Sequence, residues 1–343
     1  MATFDLPEDP ITPFDDEFAV ELPVHDTVLG EAAPRGDSPA VVDGTTGRAV
    51  GYRELAGTTR RLAAGLAGAG VEQGDVVALL GTNLTAYPLV LHACSRAGAV
   101  VYVMDGRTTE TALRAQLAES GARWLIASRA LLPAALRVCR GLAPGIRPVE
   151  GVFTLEPADG RRCVLDLAAT AAPEPAVDID PAGDIAVVHP SAGSRRCVRL
   201  THSDLAADLA LLASDHPLDA GERVLAGVPF ADREGLSFLA LHALRSGAAV
   251  VVMPELMNIP DLLDAVRVHR VETVFVTQTV LYGLVAAAPD DPSELGVLRR
   301  VVVTGPELGA ATEETCAALL GVRRIEYLGR REYAAALPGP PLL

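Results

Sequence analysis

Val76-Val-Ala-Leu-Leu80, then Asn83 to Ala97, then Ala99-Val-Val-Tyr-Val-Met104 read as strand, helix and strand, and this alternation decides the fold. The first run is apolar at every position, as expected of a strand covered on both faces. Asn83 to Ala97 follows a helical pattern, and Gly98 stands where a left-handed cap would end it. Working outward, Tyr52 to Ala69 puts Leu55, Leu62, Ala63 and Leu66 on one helical face, with Arg60 and Arg61 opposite. Downstream, a helix is expected over Glu110 to Ser120, a strand over Trp124 to Ile126 and a helix over Leu131 to Leu142. The second half repeats the pattern. Strands are expected near 185–188, 224–228, 249–253, 273–276 and 301–304, with helices near 203–214, 235–245, 259–269, 278–287 and 310–320.

The fold class is therefore α/β, with two pseudo-similar subdomains of mainly parallel sheet flanked by helices. Residues 1–45 are expected to form an extended acidic leader, 46–170 the first subdomain and 185–343 the second. Residues 171–184, with three prolines and little that can pack, read as the linker. Arg96-Ala-Gly-Ala-Val-Val-Tyr-Val-Met104 and Arg245-Ser-Gly-Ala-Ala-Val-Val-Val-Met253 repeat one helix-glycine-strand junction. Structural duplication and simple reuse of a common α/β junction both account for it.

The 343 residues are ample for a buried core. The 29 basic residues are all arginine, and against 44 acids they leave a net charge of −15. With no lysine, Schiff-base chemistry and a lysine-bearing phosphate loop are excluded. The acidic balance argues against nucleic acid as a partner. Cys94, Cys139, Cys163, Cys197 and Cys316 show no metal-ligand spacing and read as reduced thiols. The first residues lack the basic and apolar regions of a signal peptide, and no apolar run is long enough to span a membrane. The expectation is a soluble cytoplasmic protein with no membrane partner.

Tyr52-Arg-Glu-Leu, Ala63-Ala-Gly-Leu-Ala-Gly-Ala-Gly, Val71-Glu-Gln-Gly-Asp-Val-Val-Ala-Leu-Leu and Leu117-Ala-Glu-Ser-Gly-Ala-Arg occur in an order that carries a resemblance. From about Thr46 to Glu332 the chain resembles the large N-terminal domain of the adenylate-forming superfamily. That superfamily includes acyl- and aryl-CoA ligases, nonribosomal peptide adenylation domains and luciferases. These segments mostly build the scaffold and say little about catalysis.

The segments that carry chemistry in that superfamily are altered here. Its phosphate loop, Ser/Thr-Ser-Gly-Thr-Thr-Gly-x-Pro-Lys-Gly, resembles the stretch from Val188 to His202. Gly193 keeps the second glycine and Ser191 a threonine position. Pro190 replaces the first glycine, Ala192 a hydroxyl, Arg196 the lysine and Cys197 the next glycine. Proline removes a backbone donor and fixes φ, which impairs a cradle made of successive N–H groups. Arg195, Arg196 and Arg199 either substitute side-chain charge for it or form a solvated loop.

Val228-Pro-Phe-Ala-Asp-Arg-Glu-Gly-Leu236 resembles the superfamily's acyl-pocket segment, which implies pocket roles for Phe230, Asp232 and Gly235. Asp232 falls on a histidine position, where it either holds an amine or starts a helix. Gly305 lies in the counterpart of a nucleotide-facing turn, and Glu332 at the position of an Mg²⁺-linked glutamate or in a surface ion pair. The resemblance thus makes Ser191, Gly193, Arg196, Gly305 and Glu332 the candidate nucleotide-binding set. Leu328 replaces the adenine-stacking tyrosine and Arg331 a phosphate-contacting threonine. A thiol site from Cys197 with His189 or His202 is also conceivable, its pKa lowered by the three arginines.

The resemblance implies a further β-barrel and a mobile C-terminal domain with an adenylating lysine, beyond where this sequence stops. The leading expectation is a truncated, degenerate scaffold that binds an acyl or amino-acid ligand, a carrier protein or a partner ligase. It needs no cofactor, with ATP and Mg²⁺ bound only if adenylation persists. The alternatives are a ligase completed by a C-terminal domain in trans, and nucleotide-independent acyl transfer through Cys197, His189 or Asp232. Self-association is expected where the superfamily's barrel would sit.

Overall fold

A computed structural model describes residues 22–142, 149–170, 172–190, 197–254 and 258–328. The first strands are β1 (Pro39–Asp43), β2 (Ala49–Gly51), β3 (Val76–Gly81), β4 (Val100–Asp105), β5 (Trp124–Ala127) and β6 (Gly151–Thr154). They are followed by β7 (Ile185–Pro190), β8 (Cys197–Thr201), β9 (Arg223–Gly227), β10 (Ala249–Val252), β11 (Thr273–Thr277), β12 (Arg300–Thr304) and β13 (Arg324–Leu328). They form two sheets. One has the order β6-β5-β3-β4-β7-β8 and the other β13-β12-β11-β9-β10-β1-β2. All neighbours are parallel except the β1–β2 and β7–β8 pairs.

The helices before β9 are α1 (Val24–Leu29), α2 (Ala32–Arg35), α3 (Tyr52–Gly68), α4 (Ala86–Arg96), α5 (Glu110–Ser120), α6 (Leu132–Arg140) and α7 (His202–Asp215). Residues 233–246 form one continuous helix with a π-type middle, Leu236–Ala243. Both this middle segment and α4 carry apolar side chains nearly all round, so they belong in the interior. They pack there, between the sheets, in one cluster with Val101, Val103, Val224, Val250 and Phe275. Phe238 stacks on Phe275 at 4.6 Å between centroids. The outer face of the six-stranded sheet is covered by Leu113 and Leu117 of α5 and Ala135 and Val138 of α6. Helices Ile259–Val268, Gln278–Ala286 and Ala310–Leu320 cover the other sheet in the same way.

The α/β reading holds, and the repeated junction is realised twice, with Gly98 at φ 72° and Gly247 at φ 86° before β4 and β10. The leader needs correction. Its described part contains α1, α2 and β1, because Ala40, Val41 and Val42 find an open sheet edge and pair beside β10. Sheet membership also crosses the 171–184 division. β7 pairs with β4 through Val101↔Val187, so a strand after the linker completes the sheet before it. β1 does the reverse. Strands β2, β6, β8 and β13, short and at or near sheet margins, have no counterpart in the sequence reading.

Candidate functional site

In open α/β sheets, ligands bind outside the carboxyl ends of the strands. Here those ends of the two sheets meet over residues 228–232, the loop that follows β9. Buried Asn83, between β3 and α4, donates from its amide nitrogen to the Val228 carbonyl at 3.1 Å. Its amide oxygen accepts from Phe230 N at 2.8 Å. One side chain thus gives the loop the pairing a strand would give. His189, near the end of β7, sets Nε2 2.7 Å from the Ala231 carbonyl and Nδ1 3.0 Å from that of Pro190. A neutral imidazole donates to only one of these two acceptors. Arg107, after β4, donates to Asp232 Oδ1 at 2.7 Å.

Arg107 is itself held by Asp105, which accepts from its Nε at 3.0 Å and from the guanidinium NH2 at 2.9 Å. Asp232 stands at the N-terminal end of the 233–246 helix. Burial pushes its carboxyl above the ordinary aspartate range, and Asp105 and Glu234 add to that against the charges of Arg107 and His189. The site therefore gathers His189, Asp232, Arg107 and Asp105 on one cross-sheet cluster. Arg107 and Asn83 were not among the sequence candidates. Asn83 carries no motif of its own; its polar side chain between an apolar strand and an apolar helix is the only signal.

The sequence profile of the family described as AMP-binding enzyme matches residues 30–337. The chain belongs to that family. Among curated relatives, 4-coumarate–CoA ligase 5 of Oryza sativa subsp. japonica is 28% identical over 304 residues, covering 85% of this chain and 54% of the relative. Feruloyl-CoA synthase of Amycolatopsis sp is 32% identical over 267 residues, covering 77% of this chain and 51% of the relative. The chain thus spans about half the length of the curated relatives it matches. The fold matches the N-terminal domain of FACL13 from Mycobacterium tuberculosis with a TM-score of 0.79 at 18% identity, over 92% of this chain and 77% of that one. VinN in complex with L-aspartate gives a TM-score of 0.76 at 21% identity, over 91% of this chain and 77% of that one.

Within this AMP-binding fold the sequence candidates separate. Ser191, Gly193, Arg196 and Glu332 lie outside the described residues. Gly305 follows β12 at φ 124°, a conformation that favours glycine, with Gln278 beside it. Phe230 is fully buried and stacks on Tyr87 at 5.4 Å, so it belongs to the core. Gly235 is required by packing, since a Cβ there would lie 1.9 Å from the Pro229 carbonyl oxygen. Of the acyl-pocket trio, Asp232 is the part-exposed member.

The thiol site needs correction. Across the β7–β8 hairpin Pro190 pairs with Cys197 and His189 with Val198. Directly opposed residues share a face and successive ones alternate, so Cys197 and His189 point to opposite sides of the sheet. Cys197 lies on the α5 side, with Tyr102 Oη 3.4 Å and Glu119 Oε1 3.7 Å from its sulfur. Burial pushes its thiol up, against a lowering by the Tyr102 hydrogen bond and Arg199 and with Glu119 adding to the rise, so the expected depression is reversed. His202 accepts at Nδ1 from Val24 N at 3.1 Å, which ties it to α1. Among the described residues, no group of three or more His, Cys, Asp or Glu is placed to hold a metal ion. No described helix is long and apolar enough to cross a membrane.

Replacing Asn83 by alanine leaves the Val228 carbonyl and the Phe230 N–H buried without their partner. Asn83→Ala should cost about 2–3 kcal/mol, read as a lower urea midpoint at unchanged slope. A loss below about 0.5 kcal/mol would show that the loop needs no such clamp.

Proposed function

We propose that this AMP-binding domain holds an acyl ligand at the carboxyl ends of its two sheets and does not, by its own residues, activate that ligand with ATP. The observation that carries the reading is Pro190. It ends β7 opposite Cys197, at the mouth of the segment that resembles a phosphate loop. A loop of that kind binds phosphate through consecutive N–H groups, and proline supplies none. The chain also has no lysine to reach a triphosphate. Its residues therefore fit ATP and Mg²⁺ poorly and offer no adenylation step by themselves. Relatives named for 4-coumarate and ferulate support an aromatic acid as the ligand class, free or on a carrier protein. A partner ligase is the other macromolecule that fits a binding role.

Calorimetry with ATP and Mg²⁺ should show no micromolar binding, and pyrophosphate exchange with 4-coumarate, ferulate and benzoate should stay at background. The acids alone should bind. Micromolar ATP affinity that is lost in Glu332→Ala, or exchange above background by the chain alone, would overturn the reading.

Gly305 favours a second reading, because its backbone conformation keeps the nucleotide-side turn in place. On that reading the chain forms acyl adenylates when a lysine-bearing domain is supplied to it. Exchange that appears only after adding such a domain from neighbouring gene products would establish it, and none in any combination removes it.

A further inference from the structure

Asp232, in the loop after β9, stands with a guanidinium already on it. Arg107 donates to Oδ1 of Asp232 at 2.7 Å, while its own backbone N and Nε bond to Asp105 Oδ1 at 2.8 and 3.0 Å. NH2 of the same guanidinium also lies 2.9 Å from Asp105 Oδ2. Asp105 therefore grips Arg107 through three nitrogens, two of them on the guanidinium, and aims NH2 at Asp232, a charge-assisted geometry with little freedom. The three residues come from the ends of β4 and β9, in different sheets, and converge where an α/β fold places its ligand.

We infer that Arg107 determines the charge Asp232 presents to a ligand at the carboxyl ends of the sheets, so that the site takes an acyl group uncharged where it meets Asp232 in preference to one bearing an ammonium there. This rests on the acyl-binding reading above. With Arg107 present, a ligand ammonium meets a carboxylate whose countercharge is in place, and a guanidinium that repels it. With Arg107 gone, Asp105 and Asp232 lose their shared cation, Glu234 adds a third negative charge nearby, and an ammonium can take its place. An opposite charge this close is worth roughly ten- to a thousandfold, and the half-exposed setting puts the effect at the lower end. Arg107 acts through Asp232 and is a positioning residue.

The test uses the full chain and two probes that differ by one ammonium, cinnamate and 4-(aminomethyl)cinnamate, with calorimetric Kd values. The wild type should favour cinnamate. Arg107→Ala should shift the ratio of affinities toward the amine by at least about tenfold, Arg107→Lys should keep the original preference, and Asp232→Asn combined with Arg107→Ala should cancel the shift. An unchanged ratio in Arg107→Ala, or a shift that survives in the double variant, overturns the inference. If the wild type binds neither probe, the acyl-binding reading fails separately. The carboxyl titration of Asp232, followed by NMR among its neighbours Asp105, Arg107, His189 and Glu234, then decides. Arg107→Ala should raise it by about one pH unit or more, and an unmoved titration overturns the inference.

Discussion

Between neutral pH and about pH 4.5 the protein should lose roughly 5 kcal/mol of stability. Three buried histidines drive the loss. Burial pushes His25 down to about 3, His92 to about 4 and His242 to about 4. Their neutral rings are held by Ser95 Oγ at 2.9 Å, the Ala240 carbonyl at 3.1 Å and the His216 carbonyl at 2.9 Å. Asp26 lies 3.6 Å from His25 Nε2, the distance of an ion pair. Burial nevertheless prevails, because that carboxylate is part-exposed and also faces Arg96 at 3.0 Å.

The sign follows from linkage. Above about pH 6.5 the rings are neutral folded or unfolded, and they contribute no pH dependence. Below it the unfolded chain takes up protons that the fold refuses, at about 1.4 kcal/mol per histidine per pH unit. Three histidines over about two units come to roughly 8 kcal/mol. Asp208 opposes this. Burial pushes its carboxyl up to about 7, so acid relieves a buried charge. That returns about 3 kcal/mol. Urea unfolding at half-unit steps from pH 7 to 4.5 checks the profile, and His92→Leu should make it shallower by about one proton. A flat profile would falsify the assignment of these rings as neutral and buried.

Arg300→Met should cost about 3–5 kcal/mol, because it strips the cation from a buried polar network and leaves carboxylates behind. Arg300 starts β12 and donates from Nε to Thr273 Oγ1 at 2.7 Å and from NH2 to Glu222 Oε1 at 2.8 Å. The Thr273 hydroxyl donates to the same Glu222 carboxylate. On the far side Glu326 lies 3.5 Å from NH1 of Arg300 and accepts from His216 Nδ1 at 2.6 Å. Burial alone would push the Glu326 carboxyl up, but the His216 hydrogen bond and the charges of Arg300 and Arg324 outweigh it and hold it below the usual range. Arg300→Lys keeps a charge but loses the planar fork, so it should recover only part of the loss. Denaturant midpoints of the two variants decide the matter, and a cost below about 1 kcal/mol for Arg300→Met would mean that solvent already screens the network.

Long apolar runs made the central strands and helices legible. Val76 to Leu80 could only be a covered strand, and the all-round apolar stretch before Arg96 could only be an interior helix. The same legibility failed for the leader, where Val41 finds its partner Val250 far along the chain. No local pattern reports a pairing of that separation.

The proline in the stretch that resembles a phosphate loop was visible as chemistry, because proline lacks an N–H in any fold. The fate of Cys197 was not. Its distance from His189 in sequence suggested a pair, and a one-residue parity across the β7–β8 hairpin put them on opposite faces.

What the sequence by itself determined is the material: covered strands, amphipathic and interior helices, arginine as the sole cationic side chain besides histidine, and a proline, without an N–H, at position 190. These properties belong to single residues and their near neighbours, so they survive without coordinates. Only the tertiary structure decided strand order, the burial that keeps histidines neutral, and the meeting of Asn83, Arg107 and His189 on residues 228–232. Each depends on register and desolvation between segments remote in the chain, and neither is fixed until the sheets close on their shared core.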